Sequence, residues 1–427
     1  MNFTTKQRIA DIQRGNVPAG YRKTNSGVMP IDWKVKILGS IFTARDERVD
    51  NTADTPLFSL TIEDGITEKT ERYEREFLVK KEKNYKKVYP GDFVYNPMNL
   101  RFGAIARYHG NTPCSVSGYY DVFYLKNPSL YGDFIETLLQ SDILLKEYAN
   151  AATGSLIEKQ RVHFSNFCKI GFMQPNELEI TKIAKILGCC DRVIALKKEL
   201  IAEKKKQKKA LMQKLLNPDR GFRLPGFSGE WKKTTIGESG TFVKGKGIQN
   251  SQCTSMGFPC VKYGDIYMKY NVSFNVAQSF TSESVFSESL QITSGALLFT
   301  CSGEDPLEIG KCVLYSGSDC IAVGGDIIVM YPNASISPDF LVHQQYSDDL
   351  IKQKSTLGKG NSIVHIHLPE IKSLKISLPP TIEEQKAIAD ILSTADKEID
   401  LLEQELAQQE QKKKSLMQLL LTGTVRV

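Results

Sequence analysis

Residues 177–216 read ELEITKIAKILGCCDRVIALKKELIAEKKKQKKALMQKLL, and residues 383–421 read EEQKAIADILSTADKEIDLLEQELAQQEQKKKSLMQLLL. The second stretch repeats the first at a constant displacement of 205, with about 16 of 38 ungapped positions identical. Ile183-Ala184 matches Ile388-Ala389, Asp191 matches Asp396, and Leu211-Met212-Gln213 matches Leu416-Met417-Gln418. A long segment written twice is the sequence signature of an internal duplication.

Within each copy, apolar and long side chains recur at alternating steps of three and four. The series is Leu187, Cys190, Ile194, Lys197, Ile201, Lys204, Lys208, Leu211, Leu215 in the first copy. In the second it is Leu392, Ala395, Ile399, Leu402, Leu406, Gln409, Lys413, Leu416, Leu420. That period specifies a coiled-coil seam. Pro175 and Pro379-Pro380 precede the two helices and Asn217-Pro218 closes the first, as proline does where a helix begins or stops. About 35 residues at 1.5 Å each make a rod of roughly 50 Å.

The repeat extends upstream more faintly. Pro90–Tyr95 resembles Ser294–Phe299, Tyr120–Phe123 resembles Gly325–Ile328, and Asp133-Phe134 resembles Asp339-Phe340. Trp33-Lys34…Leu38-Gly39 answers to Trp231-Lys232…Ile236-Gly237. The chain therefore divides into an N-terminal segment (1–19), a first domain (20–175), a central helix (176–217), a second domain (218–378) and a C-terminal helix (379–427). Both domains carry short β-branched and aromatic runs (Phe93–Tyr95, Tyr119–Phe123, Ile327–Met330) and a few helical stretches such as Asp133–Tyr148. They read as mixed α/β. The expected architecture is two similar α/β domains separated by two long helices that pair as an antiparallel intramolecular coiled coil with pseudo-two-fold symmetry.

The chain has 427 residues, of which 41% are hydrophobic and 24% charged, and a net charge of +6. This length suits two or more domains. No apolar run reaches the ~20 residues of a membrane span, so the expected location is the cytoplasm, without a membrane partner. Nine cysteines without a CxxC pair argue for reduced thiols over a disulfide framework or a zinc site. The charge is uneven: +7 falls in 179–216 and −3 in 380–427, while 20–178 and 217–379 carry +1 and −1. A basic helix and an acidic helix in one chain are matched for ion pairs, which select partner and direction more than they stabilise.

No catalytic constellation emerges. Asn96-Pro97-Met98-Asn99 lacks the second proline and the aromatic of an amino-methyltransferase loop. Gly240–Gly247 has phosphate-loop glycines but Gly247 where Mg²⁺ needs a hydroxyl, and a flexible basic loop is the better reading. His365 and His367 share one face of a strand with no third metal ligand in view.

Taken together, the chain resembles the specificity subunit of a type I restriction–modification system. The resemblance rests on two diverged domains, each followed by a similar helix, and on the Pro379-Pro380…Glu384-Gln385…Ile388-Ala389…Ile391-Leu392 helix opening. It rests also on the Leu-Met-Gln-x-Leu-Leu helix exits and on the phrases Tyr21-Arg22-Lys23…Trp33 and Phe222–Phe227…Trp231. It implies a non-catalytic subunit whose two target-recognition domains read a bipartite, asymmetric site on double-stranded DNA. Two modification subunits and restriction (translocase) subunits are the implied protein partners. The chain itself would hold no cofactor or metal, with S-adenosylmethionine, ATP and Mg²⁺ on those partners. The competing reading is a coiled-coil protein-interaction adaptor that binds no DNA.

Base reading needs donors and acceptors on loops, backed by Lys and Arg on phosphates. In the first domain the candidates are Asn96, Asn99, Arg101, Arg107, Ser117 and Tyr119. In the second they are Lys244, Lys246, Lys262, Tyr263, Ser302, Glu304, Lys311 and Lys359. The seam candidates are Leu187, Ile194, Ile201, Leu211, Leu215, Leu392, Ile399, Leu402, Leu406, Leu416 and Leu420. Ile183, Ile186, Val193, Ile388, Ile391 and Leu401, outside the seam, are candidates for docking other subunits. A rod between two readers acts as a ruler against DNA that advances ~34 Å per turn. Inserting one heptad into both helices should lengthen the unread spacer and leave both half-site sequences unchanged, as measured by methylation of spacer-variant oligonucleotides; unchanged spacing would refute the ruler.

Overall fold

A computed structural model describes residues 3–24, 27–50, 54–68, 85–127, 132–156, 159–360 and 363–427. The chain forms two compact units, Met1–Lys198 with Glu405–Val427, and Glu199–Gln404. Two long helices, α1 (Glu177–Leu215) and α2 (Ile382–Leu421), each give one half to each unit. Every unit is thus an α/β domain plus the start of one long helix and the end of the other.

The first unit is centred on an antiparallel four-stranded sheet in the order Ile105–Arg107, Phe93–Tyr95, Asp121–Leu125, Phe42–Arg45. Its core is aromatic: Phe42, Phe93, Tyr95, Phe123 and Phe167 are buried and in mutual ring contact, with Phe42 and Phe123 4.7 Å apart. The second unit keeps the same strand order, Cys312–Tyr315, Ala296–Thr300, Ile327–Pro332, Gly240–Lys244, and adds Ser273–Phe274 parallel at the edge. Here Leu297, Phe299, Leu314, Ile328 and Met330 fill the corresponding core. A second five-stranded sheet completes this domain. The stretch Asp133–Tyr148 is two helices, Gly132–Leu139 and Asp142–Ala151, because Ser141 caps the second through the Leu144 N–H.

The faint similarity at Leu38-Gly39 and Ile236-Gly237 has a steric origin. In each domain the first strand after the tryptophan pairs with the last strand before the long helix: Lys34–Ile37 with Gly171–Gln174, and Lys232–Thr235 with Lys375–Leu378. The pairing continues through Leu38 N–H to Ile170 O and Gly39 N–H to Cys168 O, both 2.9 Å. Its copy is Ile236 to Leu374 and Gly237 to Lys372, again 2.9 Å. A Cβ on either glycine would lie 2.9 Å from the facing Cβ, so only glycine allows the closure.

Each long helix opens on the same cap. Asn176 Oδ1 accepts the Glu179 N–H at 2.9 Å, and Thr381 Oγ1 accepts the Glu384 N–H at 3.3 Å, satisfying helix-end donors that have no partner within the helix. Apolar residues of the first turns, Ile183 and Leu187 in α1 and Ile388 and Leu392 in α2, enter the domain cores. The opposite helix supplies its end: Leu420 and Leu421 complete the first core, Leu215 and Leu216 the second. Ile183 and Ile388, expected on an outer surface, are therefore core residues. Ile186 packs at the core edge, while Val193, Ile391 and Leu401 remain exposed.

Along the seam, Leu187, Ile201, Leu215, Leu392, Ile399 and Leu420 are buried, and Ile194, Leu211, Leu402, Leu406 and Leu416 are half-buried. The helix halves run antiparallel in each unit, and the ion pairs show the register. The first unit joins Lys197 to Glu405 at 2.6 Å, Lys198 to Glu410 at 3.2 Å, and Lys413 to Asp191. The second joins Lys204 to Glu398 at 2.6 Å, Lys205 to Glu403 at 2.7 Å, and Lys208 to Asp396. Lys208–Asp396 and Lys413–Asp191 are the same pair in the two copies. The lysine cluster of α1 is thus largely spent on carboxylates of α2, with Lys209 on Asp348 and Lys206 on Glu203 within the helix.

A buried lock joins each domain to its helices. Glu179, 3% exposed, accepts Trp33 Nε1–H at 2.9 Å and a bidentate bond from Arg426 at 2.5 and 2.9 Å. Arg426 also grips Asp32 at 2.9 and 2.6 Å, and that hydrogen bonding holds the Asp32 carboxyl below its usual range. In the second unit Glu384, 1% exposed, receives Arg223 at 2.5 and 2.6 Å. Glu179 and Glu384 are 205 residues apart, so the duplication carries its own lock. Arg426→Ala strands a buried carboxylate and should cost about 3 kcal/mol, the lower end for such a pair because Arg426 is itself partly exposed. Glu179→Gln retains an acceptor for Trp33 and should cost less; thermal denaturation of the full chain measures both.

Candidate nucleic-acid interface

In each domain, loops leaving one end of the central sheet gather polar side chains. In the first, the turn Asn96–Gly103 follows strand Phe93–Tyr95. Asn96 builds this turn: its Oδ1 accepts the Met98 N–H at 3.1 Å and its backbone O accepts Leu100 N–H at 2.8 Å. Asn99 is exposed on it. Arg101 donates to Gln160 Oε1 at 2.9 Å and lies 4.6 Å from the ring of Phe102, which is 57% exposed. Val162 N–H donates to Pro97 O at 2.9 Å, bringing the segment 159–163 against the turn. The Arg161 guanidinium then stands 5.7 Å from the exposed Tyr119 ring, and Ser117 Oγ accepts the Tyr119 N–H at 3.3 Å.

Arg101 and Tyr119 thus meet the 159–163 segment, with Asn99 exposed on the adjoining turn, while Asn96 and Ser117 shape the loops beneath them. Arg107 turns elsewhere, to Asp133 at 3.0 Å. Phe102, Gln160, Arg161 and His163 belong to this surface and did not stand out in the sequence, which shows no period or motif across 159–163.

In the second domain four loops converge. Gly240–Lys244 is a sheet strand, so the basic loop expected over 240–247 begins only at Gly245. There Lys246 N–H reaches Val323 O at 3.2 Å and Gly245 N–H reaches Ile327 O at 2.9 Å. Cys301 N–H donates to Asp326 O at 3.0 Å and Ile366 N–H to Cys301 O at 2.9 Å. Ser302 Oγ is 2.9 Å from His365 Nδ1. Lys359, exposed, pairs its backbone with His365 and its Nζ with Glu370 at 3.5 Å.

Lys244, Lys246 and Glu304 are exposed. Lys262 donates to Asn250 Oδ1 at 2.7 Å, and Tyr263 packs edge-on to Tyr267. Lys311 is turned inward: its Nζ donates to Tyr267 O at 3.3 Å, and burial lowers its pKa. His343, buried against α2, makes no such surface. Burial pushes its imidazole down to about 3, aided by Lys208, and it hydrogen-bonds Ser393 Oγ at 2.9 Å. Among the described residues no cluster of three or more His, Cys, Asp or Glu could hold a metal ion, and no helix is long and apolar enough to cross a membrane.

Comparison with known proteins places this arrangement. Residues 228–411 match the type I restriction modification DNA specificity domain. The specificity subunit of the type I restriction enzyme MjaVIII from Methanocaldococcus jannaschii is 28% identical over 267 residues, which cover 58% of this chain and 60% of that protein. A second protein of that organism, provisionally named the MjaX specificity subunit, is 24% identical over 95% of this chain and 97% of its own. Over its second domain and C-terminal helix the chain is thus similar to the specificity subunits of type I restriction–modification systems. The crystal structure of such a subunit from M. genitalium shares the fold, with a TM-score of 0.57 at 16% identity over 94% of this chain and 98% of that one.

A rigid frame beneath exposed side chains is the useful property for recognition. Gly245 shows how tight the frame is: a Cβ there would lie 2.0 Å from Gly324 O, whereas one on Gly247 would meet nothing within 4 Å. Gly245→Ala should therefore lower the stability of the full chain by about 1–3 kcal/mol. Gly247→Ala should leave the melting temperature nearly unchanged; equal melting of the two variants would contradict this packing.

Proposed function

We propose that this chain is a specificity subunit that reads a bipartite, asymmetric DNA site with one domain per half-site and has no catalytic activity of its own. The observation that supports this most is the pairing of one repeated fold with different side chains at the same loop end of each domain. Like frames bearing unlike donors and acceptors suit two different half-sites on one duplex. With domain charges of +1 and −1 over 20–178 and 217–379, attraction to phosphate is local to the loop ends.

The same reading assigns the chemistry to partners. Two modification subunits would bind S-adenosylmethionine and methylate adenine, and restriction subunits would use ATP and Mg²⁺ to translocate and cut. The exposed Val193, Ile391 and Leu401 on the long helices suit helices of such partners. The complex would act in the cytoplasm.

An electrophoretic shift of the full chain, alone and with a modification subunit, against genomic DNA fragments tests the reading. A sequence-dependent shift is expected; an adaptor without DNA binding gives none. Arg101→Ala and Lys246→Ala should each weaken binding at physiological salt by roughly 5-fold or more. Incubation of the chain alone with labelled S-adenosylmethionine and DNA should transfer no methyl group.

A further inference from the structure

A small backbone feature recurs in the two domains at the repeat distance. In the first, Thr153 and Arg161 form an isolated antiparallel bridge, exchanging hydrogen bonds of 2.9 and 3.0 Å. In the second, Lys359 and His365 form the same bridge at 2.9 and 2.8 Å. The next residue along, Val162 or Ile366, donates to Pro97 O or Cys301 O, in both cases at 2.9 Å. Gly154 and Gly360, which follow the first bridge residues, have φ of 140° and 133°, a region that favours glycine. Arg161-Val162-His163 therefore corresponds, bond for bond, to His365-Ile366-His367.

The middle residue of each triplet is buried, Val162 at 1% and Ile366 at 0%, in the core of its own domain. Alternation along extended chain then turns the flanking pair outward, and all four flanking residues are exposed. The His365 and His367 rings lie parallel, 1° apart in plane with centroids 6.4 Å apart. His163 and His367 each precede a short helix, and neither side chain caps it. Neither packing nor capping explains why the same residue stands there in two domains that differ almost everywhere else. The neighbouring outward position does differ, Arg161 against His365.

Two half-sites on one duplex share their phosphate geometry and differ in their bases. Contacts to phosphate carry no sequence information, whereas base edges are read by particular donors. We propose that His163 and His367 make equivalent phosphate contacts in the two half-sites, and that Arg161 and His365 are the corresponding base-reading residues. This rests on the DNA-reading role proposed above. Arg161, beside the Tyr119 ring, presents a planar fork suited to guanine O6 and N7. His365, with Nδ1 engaged by Ser302 Oγ, offers Nε2 for a single hydrogen bond and should discriminate less strongly.

The test is selection from a double-stranded DNA library randomised in both half-sites, using the full chain assembled with a modification subunit, with melting curves recorded for each variant. Arg161→His should change the preferred base at one position of one half-site, by roughly tenfold or more, and leave the other half-site untouched. His365→Arg should do the converse. His163→Ala and His367→Ala should preserve the selected sequence while weakening binding to all sequences by a similar factor. If the wild-type complex selects a bipartite site and the Arg161 and His365 variants select it with the same preferences, the base-reading assignment is overturned. A changed base preference in His163→Ala or His367→Ala overturns the phosphate assignment. A wild-type complex that selects no sequence overturns the DNA-reading role itself, and the proposal with it.

Discussion

Neither α/β domain finishes its own core; each is closed by the first turns of the long helix that follows it and by the last turns of the other. Ile183, Leu187, Leu420 and Leu421 do this in the first unit, and Ile388, Leu392, Leu215 and Leu216 in the second. Burying a side chain of this size contributes about 1.5–3 kcal/mol, far more than the tenths expected of an exposed ion pair. Apolar burial therefore holds the helix ends, while the lysine–carboxylate pairs choose the antiparallel register. The buried Glu179 and Glu384 locks act between these extremes, since their partners cannot be removed without stranding a charge.

This division of labour lets the two domains diverge. One core is filled by aromatics mostly in edge-to-face and tilted contact and the other mainly by aliphatic side chains, yet the strand order, the glycine closure at Gly39 and Gly237, and the helix caps at Asn176 and Thr381 are common to both. The loops at the far end of each sheet inherit a frame of backbone hydrogen bonds. Side chains there can change with little cost to stability, which suits the DNA-reading role proposed for these loops.

The helices were legible because heptad spacing and charge complementarity are local properties of the chain, and every seam candidate lies on the covered face. Ile183 and Ile388 misled for a related reason: periodicity marks an apolar position but does not say whether a neighbouring helix or a sheet covers it. On the candidate surface, residue type and loop position point to Asn99, Tyr119, Lys244 and Lys246, which are exposed, and to Arg101, which is half-buried. Lys311 is just as polar in sequence yet turns inward onto Tyr267. Arg161 and His163 carried no signal, since the bridge that presents them joins residues eight apart across an irregular loop.

The duplication, the two long helices and their pairing are written in the primary structure, because they depend on periodicity and on repeats at fixed displacement. Which long helix closes which core, the pairing of Arg426 and Arg223 with Glu179 and Glu384, and the equivalent places of Arg161 and His365 emerge from the folded chain. Those relations depend on hydrogen bonds and packing across irregular loops or between residues up to hundreds of positions apart, where residue type alone does not specify the partner.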